Sequence, residues 1–167
     1  MHAQIKDELT QKDYYFSMPS SCATEKGSII RVREETKENG EKRAVLSYKS
    51  PNVLMKGVET REEIEVEVLS DAPTLIRLLD KIDVKPLVSV AKKRLEYSLT
   101  YKGVDFTVTL DKVSSLGSFV EIELMSSKKN DVQRLIALGE ELATKLNIDF
   151  SKKISLGYHE LMLAKRD

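Results

Sequence analysis

A chain of 167 residues is about one domain long and can bury a core of its own. Lysine and arginine (27) balance aspartate and glutamate (27), so no net field draws it to nucleic acid or an anionic membrane, and any specific electrostatics among its 32% charged residues must be local. The single cysteine, Cys22, excludes an internal disulfide and fits a reducing cytoplasm, while no apolar run approaches the roughly 18 residues of a membrane span and no signal-peptide pattern opens the sequence.

In chain order, "SIIRVREET" (28–36) and "KRAVLSYKS" (42–50) flank Asn39-Gly40 and predict a hairpin. A third strand spans 58–69. Ser70 or Asp71 then caps a helix with Pro73 in its first turn and an apolar stripe of Leu75, Leu78, Leu79 and Ile82. Two further strands, 84–100 and 104–113, meet at a tight turn on Lys102-Gly103. Leu116-Gly117 turns the chain into "SFVEIELM" (118–125). A helix over about 130–146 gathers Val132, Leu135, Ile136, Leu142, Ala143 and Leu146 on one face. "LGYHELML" (156–163) predicts a short helix or a closing strand. No linker, repeat or low-complexity tract interrupts residues 1–167, which are read as one α+β domain around an antiparallel meander.

Successive strand residues point to opposite faces, so each strand has one polar and one apolar side. Arg31, Arg33 and Glu35 oppose Ile30 and Val32, and Ser47 and Lys49 oppose Leu46 and Tyr48. Arg61, Glu63, Glu65 and Glu67 oppose Glu62, Ile64, Val66 and Val68. Lys92, Arg94 and Glu96 oppose Lys93, Leu95, Tyr97 and Leu99; Thr107, Thr109 and Asp111 oppose Phe106, Val108 and Leu110; Glu121 and Glu123 oppose Val120, Ile122 and Leu124. A sheet with one wet face gives the same alternation. The content of the polar faces points further. Arg31/Arg33 and Lys92/Arg94 are cations at i, i+2, and Glu63/Glu65 and Glu121/Glu123 are carboxylates at i, i+2. Like charges that close repel unless opposite charge sits between them. A polyanion would satisfy the cations and a divalent cation the carboxylates, which together describe a metal–phosphate site. A roughly eight-stranded antiparallel barrel with a charged lumen would hold such a ligand in a tunnel, its apolar outer face covered by flanking helices.

Several blocks carry a family resemblance: Gln11-x-Asp13-x-Tyr15-Phe16; Arg31-Val32-Arg33; Tyr48-Lys49-Ser50-Pro51; Arg61-x-Glu63-x-Glu65; Val90-x-Lys92-x-Arg94 with Tyr97; "LDKVSSLGSFVEIE" (110–123); and Tyr158 with Glu160-Leu161. In order and spacing they resemble the CYTH superfamily, the triphosphate tunnel enzymes that include class IV adenylyl cyclases and thiamine triphosphatases. The resemblance runs from about Gln11 to the C-terminus. It implies that Arg31, Arg33, Lys49, Arg61, Lys92 and Arg94 bind the triphosphate oxygens. Arginine suits this task through its planar fork and lysine through point charge. It further implies that Glu121 and Glu123, with Asp111 nearby, hold Mg²⁺ or Mn²⁺. Glu63, Glu65 and Lys92 are the candidate catalytic groups; for the two glutamates, a second metal, water orientation or pinning of the cations by ion pairs are all open.

One departure stands out. Family members begin with a strand bearing Glu-x-Glu-x-Lys, whereas Met1–Lys6 reads "MHAQIK" and places His2, Gln4 and Lys6 on that pattern. A truncated start is the expectation, with the first strand missing, a gap in the barrel wall and an unpaired edge.

The implied activity is metal-dependent hydrolysis of tripolyphosphate, a nucleoside triphosphate such as ATP, or thiamine triphosphate. The alternatives are a class IV adenylyl cyclase making cyclic AMP and pyrophosphate, and a triphosphate-binding domain that has lost catalysis. A soluble cytoplasmic protein is expected, with no nucleic-acid or membrane partner and a homodimer as a candidate assembly. His2, His159, Met55 and Met162 are read as termini or packing, and "SSKKND" (126–131) as a solvated turn and helix start.

Overall fold

A computed structural model describes residues 3–18, 27–55, 58–124 and 132–166. His2, Cys22 and the 126–131 run lie outside the described residues. One antiparallel sheet dominates. Its strands are β1 (Ala3–Ser17), β2 (Ile29–Lys37), β3 (Lys42–Lys49), β6 (Glu63–Val68), β7 (Lys85–Tyr101), β8 (Val104–Val113) and β9 (Gly117–Glu123), and they lie in the order β6-β3-β2-β1-β7-β8-β9. The short strands β4 (Val53–Met55) and β5 (Val58–Thr60) pair as a separate ribbon. The predicted strand over 58–69 is therefore two, broken at Arg61-Glu62.

The α+β antiparallel class with flanking helices holds. The seven-stranded sheet is open, with β6 and β9 as its edges. The largest difference from the sequence pattern lies at the start of the chain. Ala3–Ser17, assigned no element from its alternation, is the central strand, paired with β2 on one side and β7 on the other.

Turn chemistry sets the hairpins. Lys102 (φ 50°) and Gly103 (φ 75°) both take positive φ, the geometry that suits the twist of a two-residue hairpin loop. Gly117 at φ 114° lets the chain leave β8 and return as β9. Helix α1 (Ala72–Lys81) is capped by Asp71, whose Oδ1 accepts the Thr74 N–H at 2.8 Å, which decides between Ser70 and Asp71.

Antiparallel pairing carries the parity of each strand across the whole sheet. The apolar face packs against two helices. Leu75 and Leu79 of α1 meet Phe16, Val32 and Ala44; Leu138 and Leu142 of α2 (Val132–Lys145) meet Leu99, Tyr101, Phe106 and Val108. The tail forms a third helix, α3 (Tyr158–Ala164), which packs on the opposite, charged face. There Tyr158 and Leu161 join Tyr15, Val88, Val90 and Val113, and Met162 packs with them. Between those layers lies the polar floor. No helix among the described residues is long and apolar enough to cross a membrane.

Candidate functional site

The register assembles the charged residues on one face. Tyr15 stands opposite Arg31, which stands opposite Ser47, which stands opposite Glu65. Asp13 faces Arg33, Gln11 faces both Glu35 and Lys92, Arg94 faces Asp111, and Thr109 faces Glu121. Cations therefore occupy the middle strands, while the edge strands β6 and β9 carry carboxylates on the same side. Arg31, Lys49, Lys92 and Arg94 are buried, as are Asp13, Glu35 and Asp111. A solvated sheet face would leave such side chains open to water. This one does not.

Two aspartates hold two arginines by parallel pairs of hydrogen bonds. Arg33 donates from Nε and Nη2 to Asp13 Oδ1 and Oδ2 at 2.6 and 2.8 Å. Burial alone would raise the Asp13 carboxyl, but Arg33, with Lys92 and Arg31, outweighs it and holds it well below the usual carboxylate range. Arg94 donates in the same way to Asp111 at 2.7 and 2.6 Å, and the Tyr158 hydroxyl donates to Asp111 Oδ2 at 3.0 Å. Lys92 sits between the pairs, 4.0 Å from Asp13 and 3.5 Å from Asp111, with its ammonium 5.1 Å from the centre of the Tyr158 ring. Burial pushes the Lys92 ammonium below its ordinary pKa; the aspartates oppose that and Arg33 and Arg94 reinforce it.

A second cluster lies on β2, β3 and β6. Arg31 Nη2 donates to Ser47 Oγ at 3.1 Å, to Glu63 Oε1 at 3.0 Å and to Glu65 Oε1. Lys49 Nζ lies 2.5 Å from Glu63 Oε1. Burial, then Arg31 and Arg61, lower Lys49 to about 8 despite Glu63. Burial would raise Glu63, but Lys49 and Arg31 bring it down to about 2. Seen from Glu63 the pair is favourable; seen from Lys49 the burial and the neighbouring arginines win. Arg61 is half-buried and has no ion-pair partner among the described residues, and Arg31 Nε is buried without a hydrogen-bond partner. The unpaired i, i+2 cations expected from the sequence are thus largely neutralised by the chain's own carboxylates.

At the far edge, Glu121 Oε2 lies 2.5 Å from Arg94 Nη2, and Glu123 is exposed two residues further along β9. These two fit a divalent cation of the Mg²⁺ kind, which binds through one or two carboxylates and completes its shell with water and substrate phosphate. Asp111 fits less well, because both of its oxygens are engaged by Arg94 and one also by Tyr158. Among the described residues no group of three or more His, Cys, Asp or Glu side chains forms a closed cation cage.

The structure brings the expected site residues of the sheet strands onto one face, in two clusters joined by Arg33–Asp13 and Lys92, while Arg61 lies in the break just before β6. Sequence reasoning gave no role to Asp13, Tyr158 or Ser47, or to Gln11, whose Nε2 donates to Glu35 at 2.6 Å. The signal was present in the alternation Gln11-x-Asp13-x-Tyr15, which has the parity of a polar strand face.

The sequence profile of the CYTH domain matches residues 2–158. A Methanocaldococcus jannaschii protein named "Putative adenylate cyclase MJ0240" is 29% identical over 151 residues, 90% of this chain and 80% of that protein. The structure of PH1819 from Pyrococcus horikoshii is 31% identical with a TM-score of 0.84, covering 98% of this chain and 88% of that one. A Hippeastrum protein, named "Putative adenylyl cyclase HpAC1" and described as having a dominant triphosphatase activity, shares the fold at 18% identity and a TM-score of 0.53, over 86% of this chain and 77% of that one.

Proposed function

From the premise that the chain belongs to the CYTH domain family, we propose that it binds a linear triphosphate along the charged face and hydrolyses it with Mg²⁺ or Mn²⁺. One observation carries this reading: Arg31, Lys49, Lys92 and Arg94 are buried on a single sheet face, with Arg33 beside them. The chain's own carboxylates neutralise much of that charge, but Arg31 Nε has no hydrogen-bond partner and Arg61 no ion-pair partner among the described residues, so donors on this face are left for an anion.

Each residue then has a part. Arg31, Lys49 and Arg61 bind one end of the triphosphate, and Arg33, Lys92 and Arg94 the rest. Asp13 and Asp111 keep the Arg33 and Arg94 forks aimed, so little reordering accompanies binding. Glu121 and Glu123 hold the divalent cation, which when bound polarises a phosphoryl group and neutralises its charge. Asp111 serves as a positioning group for Arg94 and Lys92. Phosphate oxygens that take Arg31 and Lys49 release Glu63 and Glu65, leaving a carboxylate free to orient the attacking water and accept its proton. Water attacks the terminal phosphorus, the bond to the bridging oxygen breaks, and orthophosphate leaves. The cations around that bridging oxygen, Lys92 among them, stabilise the charge that develops on it. Residues 1–167 act as a single triphosphate-binding domain on this reading.

The name of the M. jannaschii relative favours a second reading, in which the ribose 3′ oxygen of ATP attacks the α-phosphorus and pyrophosphate leaves. The third reading is binding without turnover. Incubation with ATP, tripolyphosphate or thiamine triphosphate plus Mg²⁺ or Mn²⁺ separates the three. Orthophosphate is the expected product. Cyclic AMP with pyrophosphate, or tight binding with no product, would overturn hydrolysis.

A further inference from the structure

His159 is a half-buried imidazole on the charged face that the reaction above leaves unused. Its ring stacks on Tyr15, centroids 4.7 Å apart and planes 19° from parallel. Tyr15 is buried and stands directly across the β1–β2 ladder from Arg31. The imidazole therefore sits above the end of the floor where Arg31, Lys49 and Arg61 gather. The turn before α3 fixes it there. A Cβ on Gly157 would come within 2.9 Å of His159 Nδ1, so the ring lies folded back against the Gly157 backbone.

We propose that His159 is a phosphate-contact group whose protonation is coupled to occupation of Arg31, Lys49 and Arg61 by a polyphosphate. This deepens the triphosphate reading and rests on it.

The groups around the ring give the proposal its sign. From β1 come Tyr15 and, behind it, Asp13, which is already spent on Arg33. From β2 and β3 come Arg31 and Lys49, tied to Glu63 and Glu65 of β6, from the segment just before β6 Arg61, and from β7 Lys92, turned toward the neighbouring Tyr158 ring. On its own helix Glu160 lies near, but its carboxylate accepts the Gly157 N–H at 2.7 Å. Burial lowers the imidazole below its ordinary value, and the field of Arg61, Lys49 and Arg31 adds to this against Glu160. A polyphosphate on those cations reverses the field. The anion that neutralises them favours an imidazolium, which can donate to a phosphate oxygen, with the proton drawn from solvent. Binding and protonation are then linked, so affinity rises as pH falls between the free and bound titrations, by up to about ten-fold per pH unit for one proton.

The test uses inorganic tripolyphosphate, calorimetry at pH 7 in two buffers of different ionisation enthalpy, and NMR of the imidazole. The chain has two histidines, so the His159 signals are assigned by difference from His159→Gln. Wild type is expected to take up a proton on binding, and the His159 titration to move upward with ligand. His159→Gln and His159→Phe, the latter keeping a ring on Tyr15, are expected to bind without that extra uptake and with a flatter pH dependence. Tripolyphosphate titrates on its own, so the quantity read is the difference between wild type and variant. Equal uptake in wild type and His159→Gln, or a His159 titration unmoved by ligand, would overturn the proposal. Proton uptake without hydrolysis would remove the hydrolase reading and leave this one standing; no binding by wild type would remove both.

Discussion

Asp111 and Arg94 are joined twice, Nε to Oδ1 at 2.7 Å and Nη2 to Oδ2 at 2.6 Å, on adjacent strands in a buried position. The pair does more than satisfy charge, because Tyr158 and Lys92 converge on the same carboxylate. Removing one member of a buried pair strands the other, which costs about 3–5 kcal/mol. Asp111→Asn is therefore expected to lower unfolding free energy by that order in urea denaturation at pH 7, and a loss below about 1 kcal/mol would remove Asp111 from its positioning role. The pH dependence has a fixed sign. Despite burial, Arg94 and Lys92 hold the Asp111 carboxyl below its ordinary range, so its contribution is present above the unfolded carboxylate pKa. It is lost as pH falls from there through the depressed folded value, and the wild-type advantage over Asp111→Asn should shrink in that acid window.

Lys49 titrates near 8 and must be protonated to hold phosphate as proposed. The profile of kcat/KM, which reports the free protein, should therefore fall on the alkaline side at about that pH. Glu63 raises Lys49, so in Glu63→Gln the falling limb moves to lower pH. The full pH profile of both proteins checks this. A limb that stays in place or moves to higher pH in the variant would break the assignment of Lys49 to phosphate binding.

Much of this geometry was legible in the residues, and the gaps have physical causes. Arg-x-Arg on β2 and Glu-x-Glu on β6 and β9 gave the polar face because strand parity survives any number of antiparallel pairings. What the sequence could not rank was the partnership of those charges. Whether Arg33 meets an external anion or Asp13 depends on register, and the register of β1 was hidden because the apolar side of "AQIKDELTQKDYYFS" switches along the strand, from Ala3, Ile5 and Leu9 to Tyr14 and Phe16. The break at Arg61-Glu62, which divides one expected strand into β5 and β6, likewise follows from the β4–β5 ribbon and not from local propensity. The tail was ambiguous between strand and helix. Tyr158 and Leu161, one helical turn apart, both pack onto the floor, and that tertiary contact supports the helix.

Glu121 and Glu123 differ in their ties, and their variants should differ too. Glu121 pairs with Arg94, so Glu121→Gln frees that arginine as well as weakening cation binding. Glu123 lacks such a tie to a cation among the described residues, and Glu123→Gln should act on the metal alone. Both are expected to raise the Mg²⁺ or Mn²⁺ concentration needed for half-maximal activity, by about ten-fold or more, on the scale of a lost ligand or its support. Only Glu121→Gln should also change KM at saturating metal. An unchanged metal requirement in both variants would remove β9 as the cation site.

Lys49 gives the sharpest separation of stability from function. Its folded pKa of about 8 lies below the ordinary lysine value of 10.5, so the charged form is disfavoured by folding. Between those values the unfolded chain binds more protons, and stability contributed by this site rises with pH; below about 8 the whole burden is present, on the order of 3 kcal/mol. Glu63 gives part of it back through the 2.5 Å contact, and without Lys49 it would still have Arg31 at 3.0 Å. Lys49→Met keeps the length of the side chain and removes the buried charge. The variant is expected to unfold within about 1 kcal/mol of wild type, or above it, at pH 7 while losing tripolyphosphate binding. Any advantage over wild type should narrow as pH passes from 8 toward 10, where wild-type Lys49 sheds its proton in the folded state. Urea midpoints at pH 7 and pH 10, with binding calorimetry at pH 7, read both effects. Destabilisation by more than about 2 kcal/mol at pH 7 would mean that Lys49 is held for the fold and not for a ligand.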